Sequence, residues 1–209
     1  MYKVFVAVCF CSCFYSGLLF AQQSTPSSSA SSSKHSAVHE IQLEPGSIIN
    51  GIYRNNYFQF SYRPPFGWVD RTADMREDAE TGKSRVLLAV FERPPAAAGK
   101  TVNAAVIIAA ERTGSYPGLK TAADYFGPMS ELTRSKGFKL VNDPYEFPVD
   151  GKPVVREDFS KDMGSVIMHQ SSLAMISKGY VLSFTFIGGS DDDVTQLIEN
   201  LNLGIKKAR

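Results

Sequence analysis

The chain has 209 residues, with 22 basic and 21 acidic side chains, a length that allows one globular domain with extensions rather than two cores. A charge balance this even excludes the surplus of Lys and Arg on which bulk attraction to nucleic acid or to an anionic membrane is built. Cys9, Cys11 and Cys13 are the only cysteines, so the rest of the chain has no disulfide, no thiolate nucleophile and no thiolate metal ligand.

Met1 to Lys3 supplies one positive charge, and Val4 to Ala21 then runs uncharged through Val, Phe, Leu, Cys and Ala. This is the layout of a signal peptide over residues 1–21, with cleavage expected after Ala21. An uncleaved anchor is the alternative, although the run falls just short of the roughly 20 apolar residues that cross a bilayer. A lipoprotein needs a longer apolar run and a small-residue box ahead of Cys13. Loss of the leader removes Lys3 and leaves 21 basic and 21 acidic residues. Residues 22–45 read as a Ser-rich flexible linker, since eight of the thirteen residues Ser24–Ser36 are Ser and such a segment buries too little to offset its ordering entropy. His35 and His39, beside Glu40, have metal-ligand spacing only on a helix, which a tether does not form.

Residues 46–209 read as one domain. Order begins near Ile41–Ile52, and Gly51–Tyr62 predicts two short strands joined through Asn55-Asn56, with Phe58, Phe60 and Tyr62 on one face. Pro64-Pro65 stops the second strand. Asp70–Lys83 predicts a loop or a short exposed helix. Arg85–Phe91 and Val102–Ala110 are apolar on both faces, which places them in mid-sheet between two layers. Leu119–Lys136 predicts a helix opened by a Thr121/Asp124 capping box and closed by Gly137, with an apolar stripe of Leu119, Ala122, Phe126, Met129 and Leu132, and broken or kinked at Gly127-Pro128. Strands follow near Phe138–Val141, Tyr145–Val149 and Pro153–Lys161, with a turn at Asp150-Gly151. Ser165–Ser177 and Tyr180–Ile187 make a long hairpin around Lys178-Gly179, with Tyr180, Leu182, Phe184 and Phe186 on one face. Ser190 and Asp191–Asp193 cap a last helix whose stripe is Val194, Leu197, Ile198 and Leu201. Hairpin-linked strands with helices between and after them imply an α+β fold with a largely antiparallel central sheet and two main helices.

Catalytic signatures are sparse. His169 lies in a strand on the face of Ile167, Leu173 and Met175, a setting that suits a core histidine better than a base. No G-x-S-x-G, phosphate loop, zinc spacing or dinucleotide fingerprint occurs. The three acids at Asp191–Asp193 are explained by the helix dipole rather than by a cation, and Arg156, Glu157 and Asp158 read as a solvated strand face with local ion pairs. The densest aromatic group is Trp68 with Tyr53, Tyr57, Phe58, Phe60, Tyr62 and Phe66, which serves either a core or a binding groove.

The segment Ile52–Trp68, an aromatic strand running into Pro64-Pro65 and then Trp68, resembles the opening hairpin of PsbP-like domains. Tyr53, Phe60, Tyr62, Pro65 and Trp68 carry the likeness as packing positions. The resemblance implies an α/β/α sandwich, found in exported bacterial proteins of unassigned role, in the extrinsic P subunit of the oxygen-evolving complex and in a nuclear import factor that binds Ran. Its members are mostly accessory or binding proteins, and fold does not fix function. The insertion after Asp70 and the Ser-rich tether depart from that pattern. The expectation is an exported, periplasmic or secreted, non-catalytic binding domain acting as a monomer on a protein or envelope partner, without cofactor, nucleic acid or stable membrane insertion. Its candidate binding residues are Trp68, Tyr62, Tyr53 and His169. The alternatives are a small-molecule carrier with an aromatic pocket near Trp68, and a hydrolase using His169.

Overall fold

Two antiparallel sheets are built from strands whose residues alternate or are apolar throughout. The computed structural model describes residues 43–77, 84–94, 97 and 99–204, so the expected signal peptide over 1–21, most of the expected linker over 22–45 and residues 205–209 lie outside the described residues. A small sheet has the order β1 (Ser47–Ile49), β2 (Ile52–Asn55), β3 (Phe60–Tyr62) and β12 (Leu201–Asn202). The large sheet runs β4 (Val69–Asp70), β5 (Ser84–Phe91), β6 (Ala105–Arg112), β11 (Tyr180–Gly188), β10 (Ile167–Ser177), β9 (Val155–Asp162) and β7 (Lys139–Leu140), with β8 (Tyr145–Glu146) also on β9. Every pairing in both is antiparallel. The helices are α1 (Thr72–Glu77), α2 (Ala122–Ser135) and α3 (Asp191–Glu199). The fold is α+β, with the doubly apolar β5 and β6 inside the large sheet, as their composition requires.

Each face of the large sheet is covered differently. On one, Met75 of α1 packs on Val86, Ala89 and Ile107, and Tyr125 and Phe126 of α2 pack on Ala174 and Val181. On the other, Phe60 and Tyr62 of the small sheet meet Phe184 and Phe186 of β11 at centroid distances of 5.4 and 6.2 Å, and the Tyr62 hydroxyl donates to the Leu197 carbonyl of α3 at 3.2 Å. The second covering layer is therefore part helix and part sheet, where two helical layers were expected. Rings of this size each bury a large apolar area, and the edge-to-face Phe60–Phe184 contact with the tilted Tyr62–Phe186 contact fixes β3 over β11.

Four local expectations change. The helix after Asp70 is not exposed: Met75 is buried, the Thr72 hydroxyl accepts the Ala89 N–H at 2.9 Å, and Arg76 donates to the Val86 and Leu87 carbonyls beside the register shift in β5. A bulge frees backbone carbonyls from the ladder, and a guanidinium fork satisfies two at once. Helix α2 continues through Pro128; proline deletes one intrahelical bond, and the packing of Tyr125 and Phe126 together with the Asp124 cap outweighs that loss. The buried residues of α2 are Tyr125, Phe126 and Thr133; of the predicted stripe Phe126 is among them and Leu119 and Met129 pack half-buried against that cluster, while Tyr125 and Thr133 lie outside that stripe. Leu201 leaves α3 to pair with Tyr62 in β12, where it is buried.

The tight connections follow the sequence. Asp150-Gly151 and Lys178-Gly179 both take positive φ at their two central residues, the geometry that a right-twisted two-residue hairpin demands. Asp124 accepts the Lys120 and Thr121 N–H groups at 2.9 and 2.7 Å, so the predicted capping interaction opens α2. The folded unit includes Glu44 and Pro45 from the expected linker, since their carbonyls accept Asn55 Nδ2 and the Tyr53 hydroxyl.

Candidate functional site

A groove of about 580 Å³ opens where three segments meet: the turn after β3, one face of α3, and the connection from β5 to β6. Its volume lies within the roughly 300–1,000 Å³ range of ligand sites. The first wall comes from Pro65-Phe66-Gly67-Trp68. The Trp68 N–H donates to the Pro65 carbonyl at 3.3 Å, and Gly67 has φ +83°, a conformation that a side chain would strain. This turn sets Trp68 into the groove, half-buried, and leaves Phe66 at its tip with 106% relative exposure.

The second wall is α3, whose Asp193, Gln196, Leu197 and Asn200 share one face at helical spacing. Ser190 caps this helix, its hydroxyl accepting the Asp193 N–H at 3.1 Å, while Asp193 Oδ2 accepts the Gly189 N–H at 3.1 Å. Gly188 allows the close approach of α3 to the sheet, since a Cβ there would stand 2.8 Å from the Asp193 Cβ. The third wall holds Glu92, Thr101, Val102 and Ala104. Reciprocal bonds tie it down: Arg93 N–H to Asn103 Oδ1 at 2.9 Å, Asn103 Nδ2 to the Arg93 carbonyl at 3.1 Å, and the Arg93 guanidinium to the Thr101 hydroxyl and carbonyl at 2.7 and 2.9 Å.

Of the four residues singled out from sequence, only Trp68 lines the groove. Tyr53 and Tyr62 are sealed at 2% and 0% exposure, and burial raises both phenols; they hold the small sheet in place beneath the turn. His169 is neither sealed nor in the groove. Its Nδ1 stands 2.7 Å from Asp191 Oδ1, with the ring 24% exposed and the carboxylate 87%. Asp191 and Asp193 are about 200° apart around α3 by helical geometry, so the first turn of that helix separates the His169 pair from the groove. For covalent catalysis a His–Asp pair needs a hydroxyl or thiol nucleophile beside it. Ser171, two residues along the same face of β10, is buried and held by Asp158 and Arg156.

Two buried polar clusters carry no sequence signal of their own. Glu111, at the end of apolar β6, receives the hydroxyls of Tyr116 and Tyr125, the latter at 2.6 Å; burial pushes its carboxyl up, and the two donors partly offset this. The expected solvated face at Arg156–Asp158 is also covered. Glu157 is 1% exposed and meets the Ser130 hydroxyl of α2 at 2.5 Å. Arg156 Nε and Asn142 Nδ2 donate to Asp158 at 2.8 and 2.7 Å, and the guanidinium lies 4.9 Å from the Phe147 ring. The reason is topological: β9 has α2 on one side and the Asn142–Phe147 crossing on the other, so an alternating charged strand becomes interior. Among the described residues, no group of three or more His, Cys, Asp or Glu is placed to hold a metal ion, and no helix is long and apolar enough to cross a membrane.

Comparison with protein-family models and with curated proteins returns no match. Solved structures similar to the chain include the cyanobacterial PsbP (CyanoP) of Synechocystis, at 17% identity over 72% of this chain and 90% of that one with a TM-score of 0.47. LpqN of Mycobacterium tuberculosis, described as involved in cell envelope biogenesis, is 15% identical over 76% and 85% of the two chains, TM-score 0.38. A Pseudomonas aeruginosa protein of unknown function is 17% identical over 57% and 77%, TM-score 0.36. A PsbP thus stands among the structures this chain is similar to, as the Ile52–Trp68 resemblance expects.

Proposed function

We propose that this protein is an exported, non-catalytic binding domain that takes a segment of an envelope or secreted protein partner into the groove between Trp68 and α3. One observation carries the reading: a half-buried Trp68 inside a groove of about 580 Å³, with the fully exposed Phe66 in the turn between the lining residues Pro65 and Trp68. A phenyl ring held in water forgoes roughly 2 kcal/mol of burial that a partner covering it would recover, and aromatic anchors of this kind dominate protein interfaces. The export leader and Ser-rich tether expected for residues 1–45 suit a domain that reaches a partner from an attachment point or in free solution. A hydrolase based on His169 is less well supported, since Ser171 is already engaged. A small-molecule carrier using the same groove is the second reading, favoured by its volume.

The test is site-specific photocrosslinking in cells expressing the full chain, with the photoreactive residue at position 66 or, as control, at the exposed Ile176. Discrete adducts from position 66, absent from position 176 and lost with Trp68→Ala, are expected. Absence of any adduct specific to position 66 would sink the proposal, and a ligand found by native mass spectrometry in its place would favour the carrier.

A further inference from the structure

Among the described residues, the lining of the groove contains two carboxylates, Glu92 and Asp193, and no Lys, Arg or His. From this charge pattern we infer that the groove is selective for a positively charged segment, accepting a lysine or arginine side chain of the partner; the inference rests on the binding reading above. The two acids come from different walls, one from the segment leaving β5 and the other from α3. Glu92 Oε2 accepts the Ala104 N–H at 3.3 Å and Asp193 Oδ2 accepts the Gly189 N–H, so both carboxylates are oriented by backbone donors while their second oxygens retain accepting capacity.

Arg93 Nη1 lies 3.7 Å from Glu92 Oε2 and offsets part of its charge, but the guanidinium is not part of the lining, and among the described residues no ion pair forms to Asp193. Between the acids the floor is apolar, formed by Val102, Ala104 and Leu197, with the Trp68 ring at one side. A lysine or arginine side chain matches this layout: its aliphatic stem covers the apolar floor, and its charged head reaches a carboxylate or the face of the indole. An acidic segment would set like charges together, and the groove would reject it.

Trp68 is the one tryptophan in the chain, so tryptophan emission, excited at a wavelength that tyrosine does not absorb, reports on this groove. The full chain is titrated with tetraarginine, tetralysine and tetraglutamate. Saturable changes with the two cationic peptides and none with tetraglutamate are expected. The double variant Glu92→Gln, Asp193→Asn keeps both backbone-bonding acceptors and should weaken tetraarginine binding about fivefold, the effect of losing two part-exposed ion pairs; raising the salt should weaken wild-type binding in the same direction. Circular dichroism checks folding, and Glu92→Gln alone serves if the double variant is unfolded. An equal response to tetraglutamate, no response to tetraarginine, or unchanged affinity in the folded variant overturns the inference. Position-66 adducts that persist with any of those results leave the binding reading standing, whereas their absence removes both.

Discussion

Glu111 shows what one carboxyl costs when a strand carries it indoors. It is buried at the end of β6 under two tyrosines, and its carboxyl is raised by burial despite their hydroxyls. A folded-state value above the unfolded one contributes stability that is present at low pH and lost as pH rises through the folded value. Glu111→Gln removes that titration while keeping an acceptor, so urea denaturation should show the variant gaining on wild type as pH rises from 4 to 7; a constant difference would contradict the assignment. Glu111→Ala leaves two buried hydroxyls without their acceptor and should cost about 2–4 kcal/mol in the same assay. Nothing in the sequence marks this residue except its place at the end of an apolar run, where an acid reads as the start of the exposed connection. The tyrosines that hold it come from the loop and helix that follow, and only the fold brings the three together.

Helix α3 forms the wall of the groove and is held at both ends of its packing. Ser190→Ala removes the cap on Asp193 and should lower stability by about 1 kcal/mol in thermal or urea unfolding. Gly188→Ala inserts a methyl 2.8 Å from Asp193 and 3.2 Å from Val194, and should cost about 1–3 kcal/mol by pushing α3 off β11, with a shift in Trp68 emission as the groove widens. The cap, the Thr121/Asp124 box and the two hairpin turns were legible because each depends on residues within four positions of one another. The end of α3 was not. Leu201 continues a helical period as well as it begins a strand, and its choice depends on Tyr62, far away in sequence. The same limit explains Arg156–Asp158: alternation identifies a strand, but not that an irregular crossing will cover its polar side. The groove was half legible, since aromatic density pointed to Trp68, while Glu92 and Asp193 join it only through tertiary packing.

The α+β plan and the antiparallel sheets follow from periodicity, whereas the mixed covering layer does not, because a β-meander and a helix can bury the same aromatic face of β11. Stability against acid should depend on β9. Burial would raise the Asp158 carboxyl, but donors from Ser171, Asn142 and Arg156 outweigh it and hold it below its ordinary value. This sign is opposite to that of Glu111: the contribution is present above the unfolded value and lost as pH falls through the folded one. Asp158→Asn should cost about 2 kcal/mol at neutral pH by leaving Arg156 without its carboxylate, and its difference from wild type should shrink below pH 4 in urea titrations. The closing of the small sheet has a consequence for synthesis. β12 brings Leu201, next to the last described residues, against Tyr62, near the start of the domain, so the aromatic interior over Phe184 and Phe186 has no complete wall until nearly the whole domain has left the ribosome. A chain made from its N-terminus therefore lacks one wall of its interior until β12 has been synthesised, and its aromatic strands wait for that last pairing.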